Sequence, residues 1–345
     1  MNPTALMMLF SSLAIGTSIT LLSYHWLLAW IGLEINTLAI IPIMMKTPHP
    51  RAVEAATKYF LTQATASALI LFSSTTNAWY TGEWTMNSLT ELPAYALSIA
   101  IMTKLGLAPL HLWLPEVMQG IPLFTGLILS TWQKIAPMAL LIQTSNLLNL
   151  NLMMIIGFAS VLIGGLGGIS QTQLRKMMAF SSIGHLGWMI VILKLNPQLT
   201  LFNFSIYILM TTSMFLSLMS LSATKMSQIS VSWSKSPDMT ATIMLIILSL
   251  AGLPPLTGFA PKLLIILELT KQDATLMAAM ITLISLLALF FYIRLSYVTS
   301  LTMTPNTPQY FSAWRTSVKF SPMNAMVNTL ALFLLPLTPT ILLLM

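Results

Sequence analysis

Two short windows decide how this chain folds: Gly106-Leu107-Ala108-Pro109-Leu110-His111-Leu112-Trp113-Leu114-Pro115-Glu116 and Gly252-Leu253-Pro254-Pro255-Leu256-Thr257-Gly258-Phe259-Ala260-Pro261-Lys262. They align without gaps at an offset of 146 residues and agree at five of eleven positions. Each window interrupts a long apolar run. Proline removes a backbone donor and clashes with a preceding carbonyl, so a helix carrying either window must break there. In lipid, the polar backbone freed by a break is tolerated only against protein or a water-filled cavity, and matched breaks in two halves of a chain point to an ion path. A kink that serves packing alone is the competing reading.

Outward from the windows, the remaining composition fits a bilayer. The 345 residues are 56% hydrophobic and 7% charged, against about 25% charged in a typical soluble domain, and the mean hydropathy is +0.84. Apolar runs at 3–22, 25–45, 52–79, 93–120, 124–144, 150–170, 173–194, 198–222, 239–269, 274–299 and 324–344 read as about eleven membrane-spanning helices, each needing roughly 20 residues. The expected fold class is an all-α polytopic membrane protein. Long contiguous runs exclude an outer-membrane barrel, whose strands alternate over about ten residues. The start, MNPTALMMLF, has neither a basic n-region nor a cleavage site and reads as a retained first span.

With no cysteine in the chain, disulfides, iron–sulfur ligation, thiolate zinc sites and covalent haem attachment are excluded. His25, His49, His111 and His185 lie too far apart in the sequence for paired haem ligation, and no metal site is expected. The net charge of +7 has no basic cluster interleaved with aromatics, so no nucleic-acid partner is expected; membrane topology uses the basic residues instead. With the N-terminus inside, one set of loops holds Lys46, Arg51, Arg175, Lys176, Lys225, Lys235, Arg315 and Lys319, and the opposite set holds only Lys194 and Lys271 with the acids Glu83, Glu91 and Asp273. The positive-inside rule then places the N-terminus inside and the C-terminus outside.

The windows fall in the fourth and ninth runs, so the repeat unit is five helices. A unit with an odd number of spans restarts on the opposite face of the membrane, which makes the two units inverted repeats. The expected organisation is a single transmembrane domain with a first repeat over 1–145, a second over 150–300, and a loop with a final helix over 301–345.

Ionisable residues within spans carry the chemistry. Glu34 and Lys134 each stand roughly ten residues from either end of their helices, about 15 Å from either surface at ~1.5 Å per residue, too deep for snorkelling. A charge there costs about 2.5–3.5 kcal/mol on insertion scales, so each must face partners or water. Lys104 lies just before the first break and Lys262 just after the second. Burial and a nearby carboxylate act on a lysine in opposite directions, which can poise it to bind and release a proton near neutral pH. His185, in mid-span, titrates there without help. Glu34 and Lys104 are expected to be a coupled pair, with Lys134 and His185 passing a proton between the repeats and Lys262 exchanging it at the second break. His111, Glu54, Lys58 and Glu116 form a second tier. Glu54 and Lys58 are a favourable i,i+4 pair, either structural or coupled to Glu34. His25 and His49 read as interfacial or solvated, Arg294 as an anchor at a helix end, and the 26 methionines as apolar filler.

The segments Trp30-Ile31-Gly32-Leu33-Glu34, Glu54-Ala55-Ala56-Thr57-Lys58-Tyr59-Phe60-Leu61-Thr62-Gln63-Ala64, Lys104-Leu105-Gly106-Leu107-Ala108-Pro109, Trp113-Leu114-Pro115-Glu116-Val117, Thr131-Trp132-Gln133-Lys134, Gln171-Thr172-Gln173-Leu174-Arg175-Lys176 and Gly252-Leu253-Pro254-Pro255-Leu256-Thr257-Gly258-Phe259 closely resemble the antiporter-like membrane-arm subunits of respiratory complex I, NADH:ubiquinone oxidoreductase. The likeness runs over almost the whole chain; from about residue 300 it is one of hydropathy alone. It implies a proton-translocating core subunit that couples NADH-to-quinone electron transfer to pumping, with Glu34, Lys104, Lys134, His185 and Lys262 as its relay. It also implies that NADH, FMN, iron–sulfur clusters and ubiquinone bind other subunits, that the partners are other membrane-arm subunits and lipid, and that the location is the mitochondrial inner membrane, with the N-terminus in the matrix and the C-terminus in the intermembrane space. The alternative is an Mrp-type cation/proton antiporter subunit, which shares the fold and the charged axis.

Overall fold

The computed structural model describes residues 2–47, 49–234, 236–301 and 322–344. Among these residues the regular structure is helical, with two isolated β-bridges and no strand. The chain packs as two compact units, Met1–Ser160 and Val161–Met345. The basic loop residues Lys235, Arg315 and Lys319, and most of the loop expected before the final helix, lie outside the described residues.

The first unit holds α1 (Pro3–Leu22), α2 (Trp26–Met44), α3 (Pro50–Thr81), α4 (Glu91–Leu105), α5 (Trp113–Gly120), α6 (Leu123–Ser130) and α7 (Trp132–Gln143), and it ends within α8 (Leu150–Ile169). Prolines that need no backbone donor open α1 and α3, where the first-turn N–H groups have no helical partner anyway. His25 and His49, read from the sequence as interfacial or solvated, are exposed and also cap helix starts: their Nδ1 atoms accept from Leu27 N at 3.2 Å and Arg51 N at 3.1 Å. α1 and α2 meet backbone to backbone, since a Cβ on Gly16 would lie 2.9 Å from the Gly32 carbonyl oxygen. Trp30 Nε1 donates to Ser67 O at 3.1 Å and ties α2 to α3. The inward side of α3 is polar, with Gln63, Ser67, Ser73, Ser74 and Asn77 all buried.

The second unit takes up the rest of α8 and continues with α9 (Leu174–Leu193), α10 (Pro197–Leu221), α11 (Met226–Val231), α12 (Pro237–Ala251), α13 (Phe259–Lys271), α14 (Thr275–Leu301), α15 (Pro322–Phe333) and α16 (Thr338–Leu344). The Thr257 hydroxyl donates to Ala331 O and so anchors α15 to the segment between α12 and α13.

All eleven apolar runs are helical. Among the described residues, seven helical segments are long and apolar enough to cross a membrane singly, and the final pair passes if counted together. The runs at 93–120 and 239–269 are each split in two. Three details depart from expectation. The last run bends by 63°, because Pro336 in the turn Leu335–Leu337 cannot continue a helix. The fifth run is interrupted at Thr131 (φ −114°, ψ −71°), and short α11 occupies what read as loop.

The loops of the two units repeat one device. His25 bridges antiparallel to Thr85, joining the start of the second run to the chain after the third; Gln173 bridges to Lys225, joining the start of the seventh run to the chain after the eighth. The paired runs differ by five places, the period already read from the windows.

Candidate functional site

Both breaks are built alike. Gly106 and Gly252 stand in the left-handed region at φ 78° and 80°, where an L side chain is strained and glycine is not. Each closes its helix: Gly106 N donates to Met102 O at 3.0 Å and Leu107 N to the same oxygen at 3.1 Å, while Gly252 N donates to Ser249 O at 2.9 Å and Leu253 N to Leu248 O at 3.3 Å. Both breaks also contain a cis peptide bond, Ala108-Pro109 and Pro254-Pro255.

A helix end leaves carbonyls without helical partners, and within a membrane these need other donors. In the first break Trp113 Nε1 donates to Thr103 O at 3.1 Å and Gln63 Nε2 to Lys104 O at 3.4 Å. In the second, Lys262 Nζ reaches back to Ala251 O at 2.7 Å. An ammonium at a helix C-terminus also gains from the negative end of the helix dipole. The pyrrolidine and glycine pattern thus exposes carbonyls, which neutral side chains take up in the first break and the lysine itself takes up in the second.

In the first unit α2, α3, α4 and α7 surround a small cavity of about 20 Å³ whose wall includes Asn36, Thr37, Tyr59, Gln63, Lys104, Gln133 and Lys134. Lys104 and Lys134 are buried, at 6% and 3% exposure, and both line it. Gln133 Nε2 donates to Asn36 O at 3.2 Å, joining α7 to α2. Glu34 lies on α2, half-buried, with Oε2 unpartnered, and Lys104 Nζ is unpartnered too. The two make no ion pair within 4.0 Å, whereas Lys58 pairs with Glu54 and Glu116, and Lys271 with Glu268. An interaction between them would act through space rather than by contact. At an effective dielectric near 20, unit charges even ~7 Å apart interact by about 2 kcal/mol.

In the second unit a small cavity of about 20 Å³ is lined by Ser181, His185, Trp188, Lys262, Phe291 and Tyr292, among others. His185 and Lys262 thus share one chamber. The His185 ring lies 5.8 Å from that of Tyr207 on α10, and the buried Tyr292 hydroxyl has no partner.

The second-tier residues sort themselves differently. Lys58 Nζ lies 2.7 Å from both Glu54 Oε1 and Glu116 Oε2. The i,i+4 pair is present, and Glu116 joins it across 58 residues of sequence, which no local pattern shows. None of the three lines either chamber. His111, buried, places Nδ1 3.1 Å from Pro109 O within the first break. Asn36, Gln63, Gln133 and Tyr292 went unnoticed as chamber residues; the available signal was a polar side chain inside an apolar run.

An all-helical membrane fold, two broken helices and a lysine at each break, buried at the first and half-buried at the second, define a class: transport proteins that move charge through the interior of the bilayer. A family model, described as NADH:quinone oxidoreductase/Mrp antiporter, transmembrane, matches residues 23–291, and a second, NADH dehydrogenase subunit 2 C-terminus, matches residues 289–342. This chain belongs to the NADH:quinone oxidoreductase/Mrp antiporter family. Relatives named NADH-ubiquinone oxidoreductase chain 2 include that of Aquarana catesbeiana, 70% identical with 100% of both chains covered, and that of Gallus gallus, 54% identical over 99% of each. A chain of respiratory complex I from Thermus thermophilus superposes with a TM-score of 0.83 at 26% identity, covering 96% of this chain and 79% of that one. A chain of the Mrp complex from Dietzia shares the fold, with a TM-score of 0.82 at 17% identity, covering 97% of this chain and 75% of that one.

Proposed function

We propose that this chain is a proton-translocating membrane-arm subunit of NADH:ubiquinone oxidoreductase, set in the mitochondrial inner membrane with its N-terminus in the matrix. The observation that carries the mechanism is the pairing of each helix break with a lysine on the wall of an internal cavity. Glu34, Lys104 and Lys134 relay protons in the first unit, and His185 and Lys262 in the second. A change in the separation of Glu34 and Lys104 alters the charge felt by the ammonium, and a proton follows.

The recurrence of glycine break and loop bridge at a five-run period supports two inverted five-helix repeats within eleven spans. The absence of cysteine from the sequence supports a chain without redox cofactors, with NADH, FMN, iron–sulfur clusters and ubiquinone on neighbouring subunits. Mild solubilisation of native membrane followed by immunocapture of this chain tests the assignment. Co-purification of NADH:quinone reductase activity is expected. Recovery in an assembly that exchanges sodium for protons and oxidises no NADH would favour the Mrp-type alternative.

A further inference from the structure

We infer that a methionine-lined cavity beside Tyr292 is a dry seal, which closes the second chamber against the inner face and keeps protons from falling back through the unit. The inference rests on the relay reading above and concerns residues which that reading does not use. Tyr292, Phe291 and Leu250 line both the chamber of His185 and Lys262 and a neighbouring cavity of about 10 Å³, whose other walls are Leu174, Met177, Met178, Met214, Ile247 and Leu295. Tyr292 apart, each of these side chains is a hydrocarbon or a thioether. The two cavities therefore differ in what they can hold. A water needs about 10–15 Å³ and two to four polar partners. The chamber, at about 20 Å³ with Ser181, His185 and Lys262 on its wall, offers both; the methionine cavity has the least possible room and at most one hydroxyl.

Position gives this cavity its effect. Along α9 the wall reads His185 and Ser181 in the chamber, then Met178, Met177 and Leu174 in the apolar cavity, and the same first turn carries Arg175 and Lys176, two of the basic residues that mark the inner face. The apolar cavity thus lies between the chamber and the inner end of the unit. That end is strapped: Leu174 N donates to Thr224 O and Met226 N to Thr172 O, each at 3.1 Å, and Trp233 Nε1 donates to Thr299 O. Short α11, with Met226 and Ile229 buried, packs on α14 there. An apolar constriction that holds no water blocks the passage of ions. Methionine suits such a seal, since its flexible side chain fills irregular gaps and its sulfur is only a weak acceptor. With the inner side closed, a proton held by Lys262 exchanges at the second break.

The test compares Met214→Asn with Met214→Leu in the intact complex reconstituted into proteoliposomes. The two replacements share their branching and nearly their volume, but asparagine supplies donors and an acceptor for water and leucine supplies none. A pH gradient is imposed without NADH, its decay is followed with a pH-sensitive dye and corrected for protein-free vesicles, and protons translocated per NADH are counted in parallel. Met214→Asn is expected to speed the decay by about tenfold or more, the change produced by taking ~1.4 kcal/mol off a transfer barrier. It should also lower the proton count and leave NADH oxidation with an artificial acceptor unchanged, while Met214→Leu matches the wild type throughout. Equal decay in the two variants would overturn the inference, since a fast pair shows loosened packing and a slow pair shows water excluded elsewhere. Lys262→Met separates this inference from the relay. If it lowers the proton count while Met214→Asn does not leak, the seal falls and the relay stands; if it keeps the wild-type count, the relay falls and the seal with it. If Met214→Asn fails to assemble, an electron cryomicroscopy map of the wild-type complex that resolves waters decides. A dry methionine cavity beside a hydrated chamber supports the inference, and a file of waters through it to the inner face overturns it.

Discussion

Gly252→Ala separates backbone strain from function at the second break. Gly252 sits at φ 80°, where an L residue costs roughly 1–2 kcal/mol. Its new Cβ would lie 2.8, 2.9 and 3.0 Å from Cδ, Nζ and Cε of Lys262. The end of a lysine can swing away from such contacts, but only by lifting Nζ off Ala251 O, now 2.7 Å distant. A hydrogen bond to a charged group contributes about 1.5–3 kcal/mol, so the two effects together reach about 2.5–5 kcal/mol. The control is Gly82→Ala. Gly82 has φ 75° with open space around its missing Cβ, so this change carries the strain of roughly 1–2 kcal/mol and nothing more. Thermal unfolding of the purified complex, together with proton uptake by proteoliposomes normalised to NADH oxidation, compares the two. Gly252→Ala should lose both stability and pumping, and Gly82→Ala should lose a little stability and no pumping. Equal behaviour of the two variants would refute the claim that Gly252 is required to leave space for Lys262.

Other expectations follow from the same contacts. Gly258→Ala would place a Cβ 1.8 Å from Ser249 O; neither backbone can yield, so a loss above about 3 kcal/mol and little assembled complex are expected, read by the yield of intact complex on native gels. Gly120→Val should likewise detach α5 from α3, since a Cβ there already meets Arg51 O at 2.5 Å, and proteolysis of the α4–α5 region should rise. Lys58→Met leaves the Glu54 and Glu116 carboxylates facing each other without their shared cation, whereas Glu116→Gln leaves Lys58 paired with Glu54. The thermal midpoint should therefore fall further for Lys58→Met, and raised salt should narrow the difference.

The two breaks were legible because glycine and proline act on their own backbone: Gly106, Pro109, Gly252 and Pro255 need no tertiary context to interrupt a helix. Deep charges such as Glu34 and Lys134 were legible for a similar reason, as their cost in lipid depends on depth along a helix and depth is counted in residues. Which groups share a chamber was not legible, because that depends on the rotation and crossing of helices. Lys134 joins Lys104 in one cavity only because α7 packs against α2 and α4. Asn36 was passed over because one amide in an apolar run carries no periodic signal. Lys58 meets Glu116 through the docking of α5 on α3. The bend at Pro336 had a visible cause, which the length of the apolar run concealed.

The central claim is that charges at the helix breaks carry protons rather than merely hold helices together. It is tested most directly by the number of protons translocated per NADH oxidised in proteoliposomes containing the assembled complex with Glu34→Gln, Lys104→Met or Lys262→Met. The account predicts that each variant still oxidises NADH with an artificial acceptor and translocates fewer protons per NADH oxidised through quinone, with Lys104→Met and Glu34→Gln giving the same deficit because they disable one coupled pair. Assembled variants that keep the wild-type ratio would contradict it and show these charges to be structural.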